Sequence, residues 1–333
     1  MITSRAAIAS VMFTSFVGAA LTAVAGEQTG TLAGRTELHV ISTLTLSDAQ
    51  FLAGDANATP TNVTGQLRVA QRGPADGRPP VVVLMHGSGG MGPNIEMWAE
   101  ELNAMGISSF ALDGFTGRGL IQVSTDQAKL GRLNFILDIY RSLDVLAKHP
   151  RVDPTRIALM GFSRGGQAAL YASLTRFHKT WNKSGVEFAA YLPFYPDCAT
   201  TFVGDTDVAN RPIRIFGGTP DDYNPIALCK PYVERLRAAG REVVLTEYPN
   251  APHGFDNPLG TQPPTAVAQA QSVRHCQIRE EPVGLLINAA SKQPFNYNDP
   301  CVERGAHIGG DPAAAAAAKS TVKGVLAAAF RLD

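Results

Sequence analysis

The sequence has no excess of charge of either sign, since 29 lysines and arginines balance 29 aspartates and glutamates. A chain without a basic surplus is not expected to bind nucleic acid or an anionic membrane surface. Its seven histidines and four cysteines contain no Cys-x-x-Cys pair and no metal-ligand spacing. We therefore predict no metal and no organic cofactor, and a small or neutral molecule is the expected ligand.

Only the N-terminus contains a long apolar and small-residue run. A single arginine precedes this run, and Ala23-Val24-Ala25 has the pattern that a signal peptidase accepts. We predict that residues 1–25 are a signal peptide and that residues 26–333 form a single exported domain, periplasmic or secreted. The alternative is an uncleaved anchor, because the run approaches the ~20 residues that span a bilayer. No second span follows, so stable membrane insertion is not expected after signal removal.

Export changes the interpretation of the cysteines, because an oxidising compartment favours disulfides over zinc or thioredoxin chemistry. Three pairings of four cysteines are possible. We favour Cys198 with Cys229, which would join loops after two successive strands. Cys276 would then pair with Cys301 and close a short C-terminal segment.

From Pro80 onwards, short apolar runs alternate with helical stretches. Runs of this kind fit strands that are buried on both faces, so we predict an α/β fold with a mostly parallel sheet and helices on both faces. The predicted strands are 81–85, 108–113, 156–161, 188–195, 213–218 and 242–248, and the predicted helices are 94–105, 126–148, 165–176 and 226–239.

The two ends of the chain follow other patterns. Residues 27–60 are polar and rich in Gly, Thr and Ala, and 63–71 alternates like an edge strand of a hairpin. Residues 257–310 are rich in Pro, Asn and Gly, so we predict a disulfide-closed loop or hairpin insertion there. Asp311 and Pro312 then mark the start of a C-terminal helix.

The loop MHGSGGMG supports two interpretations. Gly87, Gly89 and Gly92 have the G-x-G-x-x-G spacing of an NAD(P)-binding oxidoreductase, with Asp113 at the end of the next strand to hold a ribose hydroxyl. The same glycines also suit an oxyanion hole, in which the backbone N–H of Ser88 would be one donor. Export favours the second interpretation, because a soluble dinucleotide enzyme works where its cofactor is recycled.

The stretch RIALMGFSRGGQAAL places a G-x-S-x-G motif between an apolar strand and a helix. Gly161 and Gly165 flank a strained turn that aims the hydroxyl of Ser163 out of the sheet. The helix start adds backbone N–H groups and a positive dipole end, so the N–H of Arg164 is the second oxyanion donor.

Partners for this serine follow in the order acid, then histidine. Asp221 and Asp222 lie just past one predicted strand, and His253 lies just past the next. We favour Asp221 as the acid because it is the first residue that can turn back after the strand. Asp222 is then expected to cap the helix near Pro225 or to satisfy loop N–H groups.

With these motifs, residues 60–331 resemble the dienelactone hydrolase family of α/β-hydrolases. The matching segments are VVVLMHGSGG, MGISSFALDGFTGRG, VDPTRIALMGFSRGGQAAL, GGTPDDYNPIALC and YPNAPHGFD. The resemblance implies an α/β-hydrolase fold, a Ser-His-Asp triad and, through Gly218 and Pro225, Asp221 as the acid. The family's name-giving enzymes carry a Cys nucleophile where this chain has Ser163, so dienelactone itself is not the expected substrate.

We therefore predict an exported serine hydrolase that cleaves a carboxylic ester or lactone through an acyl-enzyme. No long apolar lid is evident, which favours small substrates. Gly87, Gly89 and Arg118 are candidate substrate-binding residues, and His86 is expected to fix its loop. A non-catalytic binding protein on the same scaffold is the remaining alternative, while acyltransferase or peptidase activity and the oligomeric state stay open.

Overall fold

The computed structural model describes residue 1 and residues 35–70, 77–282 and 284–332. Apart from Met1, the predicted signal peptide and its cleavage site lie outside the described residues. Among the helices of the described ranges, none has the length and apolarity needed to cross a membrane.

Strands and helices alternate through most of the chain. The strands are β1 (Thr36–Thr45), β2 (Thr59–Arg68), β3 (Val81–Met85), β4 (Ser108–Asp113), β5 (Ile157–Phe162), β6 (Tyr191–Phe194), β7 (Thr200–Thr201), β8 (Ile213–Gly218), β9 (Val243–Tyr248), β10 (Thr265–Ser272), β11 (Ile278–Glu281), β12 (Leu285–Asn288) and β13 (Glu303–Ile308). The α-helices are α1 (Asp48–Ala53), α2 (Pro93–Ala104), α3 (Asn134–Leu146), α4 (Arg164–Tyr171), α5 (Thr175–Trp181), α6 (Lys230–Ala238) and α7 (Pro312–Phe330).

Eight strands form the central sheet, in the order β1-β2-β4-β3-β5-β6-β8-β9. The pairs from β4 to β9 are parallel, whereas β1–β2 and β2–β4 are antiparallel. Every residue of Val81–Met85 is buried, as expected for a strand covered on both faces. Val81 and Val83 pack towards α3 in one core, and Val82 packs towards α2 and α7 in the other. The predicted α/β fold is confirmed.

The N-terminal hairpin is longer than the sequence suggested. No strand was predicted within residues 27–60, yet β1 pairs with β2 along its whole length. Leu38 and Val40 of β1 are exposed while Ile41 is buried. Apolar side chains on the solvent side therefore hid the alternation that marks an edge strand.

Two predicted helices are shorter or divided. The stretch 126–148 contains a 3-10 turn, Gln127–Lys129, and α3 begins only at Asn134. The stretch 165–176 ends at Tyr171, because the backbone of Ser173 and Leu174 pairs with residues 208 and 209 instead of continuing the helix. Both differences arise from contacts with distant segments.

The segment after β9 is more regular than a loop. β10 pairs with β13, and β11 pairs with β12 and with β7, so this segment builds two small sheets. Both predicted disulfides are present, Cys198–Cys229 and Cys276–Cys301. The second one joins the residues that follow β10 to those that precede β13, and it thereby closes the part of the chain that holds β11 and β12.

The C-terminal helix α7 begins as predicted. The side chain of Asp311 accepts the N–H of Ala314 at 2.9 Å, and Pro312 occupies the first turn. The buried face has a four-residue spacing and consists of Ala314, Ala318, Val322, Leu326 and Phe330. This face packs into the same core as α2.

Candidate active site

Ser163 lies in the turn between β5 and α4, with φ 56° and ψ −115°. Such a positive φ is strained for a residue with a side chain, and it persists only where neighbours enforce it. A Cβ on Gly161 would lie 2.0 Å from the carbonyl oxygen of Gly165, and a Cβ on Gly165 would lie 2.2 Å from that of Met85. The flanking glycines are therefore required by close backbone packing.

Asp221 and His253 follow β8 and β9, and both reach Ser163. Nε2 of His253 lies 3.0 Å from Oγ of Ser163, and Nδ1 of His253 lies 2.8 Å from Oδ2 of Asp221. The other oxygen of Asp221, Oδ1, accepts the backbone N–H groups of Tyr223 and Asn224, each at 2.8 Å. A buried carboxylate held in this way can orient the imidazole so that Nε2 accepts the serine proton.

Asp222 has a different partner from the one predicted. It does not cap the helical turn near Pro225. Its Oδ1 accepts the backbone N–H of His307, and its Oδ2 lies 2.8 Å from Nδ1 of the His307 ring. Partial burial raises the pKa of Asp222, but the hydrogen bonds and charge of His307, with the charge of Arg274, more than offset this and lower the pKa. Asp222 thus ties the loop of the triad acid to β13.

The loop of the first Gly-rich motif lies against the nucleophile. A Cβ on Gly87 would lie 3.2 Å from Cβ of Ser163, so the backbone leading to Ser88 passes beside Oγ. The N–H of Arg164 belongs to the first residue of α4 and has no intrahelical acceptor. These two N–H groups are thus the candidate donors to an oxyanion, and the geometry suits the role that the sequence predicts for them.

His86 fixes this loop as a neutral ring. Its Nδ1 lies 2.8 Å from the carbonyl oxygen of Gly87, and its Nε2 accepts the N–H of Gly114 at 3.1 Å. Burial lowers the pKa of His86 to about 4. The ring therefore donates from Nδ1 and accepts at Nε2.

Two tyrosines that sequence reasoning missed enclose His253. The rings of Tyr195 and Tyr223 each lie 4.7 Å from the imidazole, measured between centroids. The hydroxyl of Tyr195 donates to Asp256 at 2.7 Å, and Asp256 also accepts the indole N–H of Trp98 at 2.7 Å. Burial raises the pKa of Asp256. Tyrosines without a motif gave no signal in the sequence.

The loop of His253 is closed by residues from the end of the chain. The N–H of Gly309 donates to the carbonyl oxygen of His253 at 3.0 Å, and the N–H of Asp311 donates to that of Phe255 at 2.9 Å. The segment that leads into α7 therefore holds the loop of His253 in place.

A cavity of about 350 Å³ opens onto Ser163 and His253. Gly87 and Gly89 line it, as predicted for substrate-binding candidates. The far wall comes from the segment after β9 and includes the side chains of Leu259, Val267 and Ile308. The segment predicted as an insertion is thus part of the pocket wall.

Arg118 lies elsewhere, so the prediction that it binds substrate is corrected. Its guanidinium is buried and donates to both oxygens of Asp138 at 2.6 and 2.9 Å. It also donates to the hydroxyl of Thr45 and to the carbonyl oxygens of Gly114 and Leu44. These partners make Arg118 a structural residue that joins β1, β4 and α3.

Asp113 is equally occupied. Its Oδ1 accepts the N–H groups of Phe115 and Thr116, and its Oδ2 accepts the hydroxyl of Thr116 at 2.5 Å. An acid engaged by its own turn is not presented to a ribose. This arrangement, together with the approach of the Gly loop to Ser163, argues against the dinucleotide interpretation.

Two histidines that the sequence left isolated meet at one site. The ligand atoms of Glu37, His39 and His149 lie within 4.8 Å of one another. The expectation that the histidines form no cluster is thus corrected; the sequence separation of 112 residues between Glu37 and His149 concealed the contact. His149 uses both nitrogens within the chain, since Nε2 pairs with Glu37 at 2.9 Å and Nδ1 accepts the N–H of Arg151. The cluster joins β1 to the end of α3.

Comparison with known proteins identifies the family of the chain. The model of the dienelactone hydrolase family matches residues 67–277. A dienelactone hydrolase-like promiscuous phosphotriesterase from metagenomic libraries is 16% identical, with a TM-score of 0.56 over 89% of this chain and 99% of its own. The protein m3DLH is 18% identical, with the same TM-score and the same coverage of both chains. No match to a curated protein is found.

At such low identity the solved structures show the fold alone, whereas the family model covers well over half of the chain. The match includes the Gly-rich loop, the serine turn and the loops of the acid and the histidine. The chain is a carboxylic ester hydrolase of α/β-hydrolase fold, and it belongs to the dienelactone hydrolase family.

Proposed function

We propose that this protein is an exported serine hydrolase that cleaves a small carboxylic ester or lactone through an acyl-enzyme. The observation that carries the proposal is the continuous path from Asp221 through His253 to Ser163, with separations of 2.8 and 3.0 Å. Nucleophile, base and orienting acid within hydrogen-bond reach are what this chemistry requires.

In the proposed mechanism, Nε2 of His253 takes the proton of Ser163 as Oγ attacks the substrate carbonyl. The N–H groups of Ser88 and Arg164 stabilise the oxyanion, and one such donor typically contributes ~3 kcal/mol to the transition state. His253 then protonates the leaving alkoxide. In the second half, water gives its proton to His253 and attacks the acyl carbonyl, which frees the acid and restores Ser163.

A fluorophosphonate probe tests the nucleophile. The wild-type protein should gain one phosphonyl group, located at Ser163 by peptide mass spectrometry. The variant Ser163→Ala, with an unchanged circular dichroism spectrum, should gain none. A folded wild-type protein that is not labelled, or a Ser163→Ala protein labelled to the same extent, refutes the proposal.

The small-substrate part is supported by the volume of the open cavity, about 350 Å³, which lies near the lower end of the range usual for small-molecule sites. We expect p-nitrophenyl acetate and butyrate to be hydrolysed faster than the palmitate. Faster hydrolysis of the palmitate contradicts this part alone.

Export is supported by the two disulfides, which persist in oxidising compartments. Expressed with its own N-terminus in a Gram-negative host, the protein should be recovered from the periplasm or medium. N-terminal sequencing of that material should begin near residue 26. A cytoplasmic protein that starts at residue 1 or 2 contradicts export.

A further inference from the structure

A second, smaller chamber adjoins the nucleophile. Its volume is about 30 Å³, and its lining includes Ser163, Arg164, Gln167 and Asn224. It shares Ser88, Ser163 and Tyr223 with the open cavity. The two spaces therefore have three wall residues in common, and we call the smaller one the inner chamber.

The inner chamber contains a buried donor without an acceptor. Gln167 is only 3% exposed, and its Nε2 has no hydrogen-bond partner among the described residues. Nε of Arg164, which lines the same chamber, also has none, although the other guanidinium nitrogens donate to Gln127, Leu130 and Gly131. A buried donor without an acceptor is destabilising, so an acceptor placed here is favoured.

Gln167 lies close to the nucleophile along the chain. Gln167 lies one helical turn after Ser163, and its backbone N–H donates to the carbonyl oxygen of Ser163 at 2.8 Å. The leaving alcohol must depart to solvent, for which the open cavity provides the route. The group that remains bonded to Ser163 is the acyl part of the substrate. Helix α4 carries Gln167 as well as the N–H of Arg164, which is the proposed donor to the oxyanion.

Size restricts what can enter. A volume of about 30 Å³ suits a group about the size of a water molecule, such as a hydroxyl or oxo group, and is small for a chain of several carbons. The substrate group that fits the inner chamber is therefore an acceptor oxygen within one or two bonds of the acyl carbonyl carbon.

We propose that the inner chamber receives an oxygen substituent on C2 of the acyl group, with Gln167 as the hydrogen-bond donor to it. The inference rests on the proposed function and narrows its substrates to esters or lactones of short 2-hydroxy or 2-oxo acids. A site built to bond a hydroxyl discriminates strongly against the analogue that lacks it, because its own donor is then left unpaired.

Three p-nitrophenyl esters with one leaving group provide the test: acetate, propionate and glycolate. Propionate and glycolate differ only by CH3 against OH at C2. Each kcat/KM is divided by the rate of the same ester with hydroxide, which removes the difference in intrinsic reactivity. For the wild-type protein the glycolate-to-propionate ratio should then exceed about 10.

Substitution tests the donor. Gln167→Leu and Gln167→Glu both remove the amide donor, and in each the ratio should fall to about 1, whatever happens to the overall rate. The matched control Gln277→Leu changes an exposed glutamine outside both cavities and should keep the wild-type ratio.

The outcomes separate the hypotheses. A wild-type ratio near 1 with good acetate turnover overturns the inference and leaves the hydrolase intact; this is the result expected if the chamber holds only a fixed water. A ratio that survives in a folded Gln167 variant also overturns it. If wild-type protein hydrolyses none of the three esters, the proposed function fails first and the inference fails with it.

Discussion

Asparagine in place of Asp221 is the sharpest test of the triad, because the structure specifies how the substitution acts. The carbonyl oxygen of the new amide can replace Oδ1 and still accept the N–H groups of Tyr223 and Asn224, so the loop should keep its shape. The NH2 group then faces Nδ1 of His253, where Oδ2 stood at 2.8 Å. It donates to Nδ1, and the ring proton moves to Nε2.

That tautomer places an N–H against Oγ of Ser163, at the position from which a lone pair must accept the serine proton. We expect kcat for p-nitrophenyl acetate to fall about 10⁴-fold in Asp221→Asn, which corresponds to ~5 kcal/mol of transition-state stabilisation. The melting temperature and the far-UV circular dichroism spectrum should change little, since the backbone hydrogen bonds are retained.

The neighbouring residue is the matched control. Asp222 bonds to His307 and its side chain is 39% exposed, so Asp222→Asn should cost less than about 1 kcal/mol of stability and keep turnover within about threefold. A folded Asp221→Asn protein with turnover within tenfold of wild type refutes the reasoning. If Asp222→Asn loses turnover and Asp221→Asn keeps it, the acid of the triad is Asp222.

Three further predictions concern stability. Burial lowers the pKa of His86 from 6.5 to about 4, so between these pH values the unfolded chain binds a proton at His86 that the folded chain does not. The free energy of unfolding should therefore fall by up to ~3 kcal/mol from pH 6.5 to 4. In chemical denaturation, His86→Gln should lack this contribution to the pH dependence of the free energy of unfolding. Replacing Cys276 and Cys301 together by Ser should cost ~2–4 kcal/mol, and equal stability of the double variant and wild type in urea contradicts this. Gly165→Ala should be among the most damaging substitutions, because its Cβ would lie 2.2 Å from a backbone atom. Gly324→Ala lies in open space within α7 and should raise stability by ~0.5–1 kcal/mol. Melting curves that rank the two variants in the opposite order contradict the packing argument.

The central fold was predictable because its strands are local and continuous. Val81–Met85 and Ile157–Phe162 are wholly buried runs, and short apolar runs of this kind are typical of central parallel strands. Strand β1 of the edge hairpin and the two small sheets after β9 were not predicted, because they depend on pairing with other segments. β7 contains only Thr200–Thr201, and it becomes a strand through its partner β11.

The candidate site also contains both predictable and unpredictable features. Ser163, Asp221 and His253 each follow a strand in the expected order. Their meeting at one edge of the sheet could therefore be predicted from the sequence alone. The pairing of Asp222 with His307 and the burial of Arg118 against Asp138 are contacts between distant segments. A charged residue near a motif is a poor guide to its partner, because many partners compete for it in the folded chain.

The hydrogen bonds from Gly309 and Asp311 to the loop of His253 have a consequence for biosynthesis. Residues up to Asp311 must be synthesised before these donors exist. The nucleophile turn can form early, yet a nascent chain on the ribosome would contain Ser163 without a positioned base. We therefore expect hydrolytic activity to appear only after the segment that contains Gly309 and Asp311 has been synthesised and has reached the loop of His253.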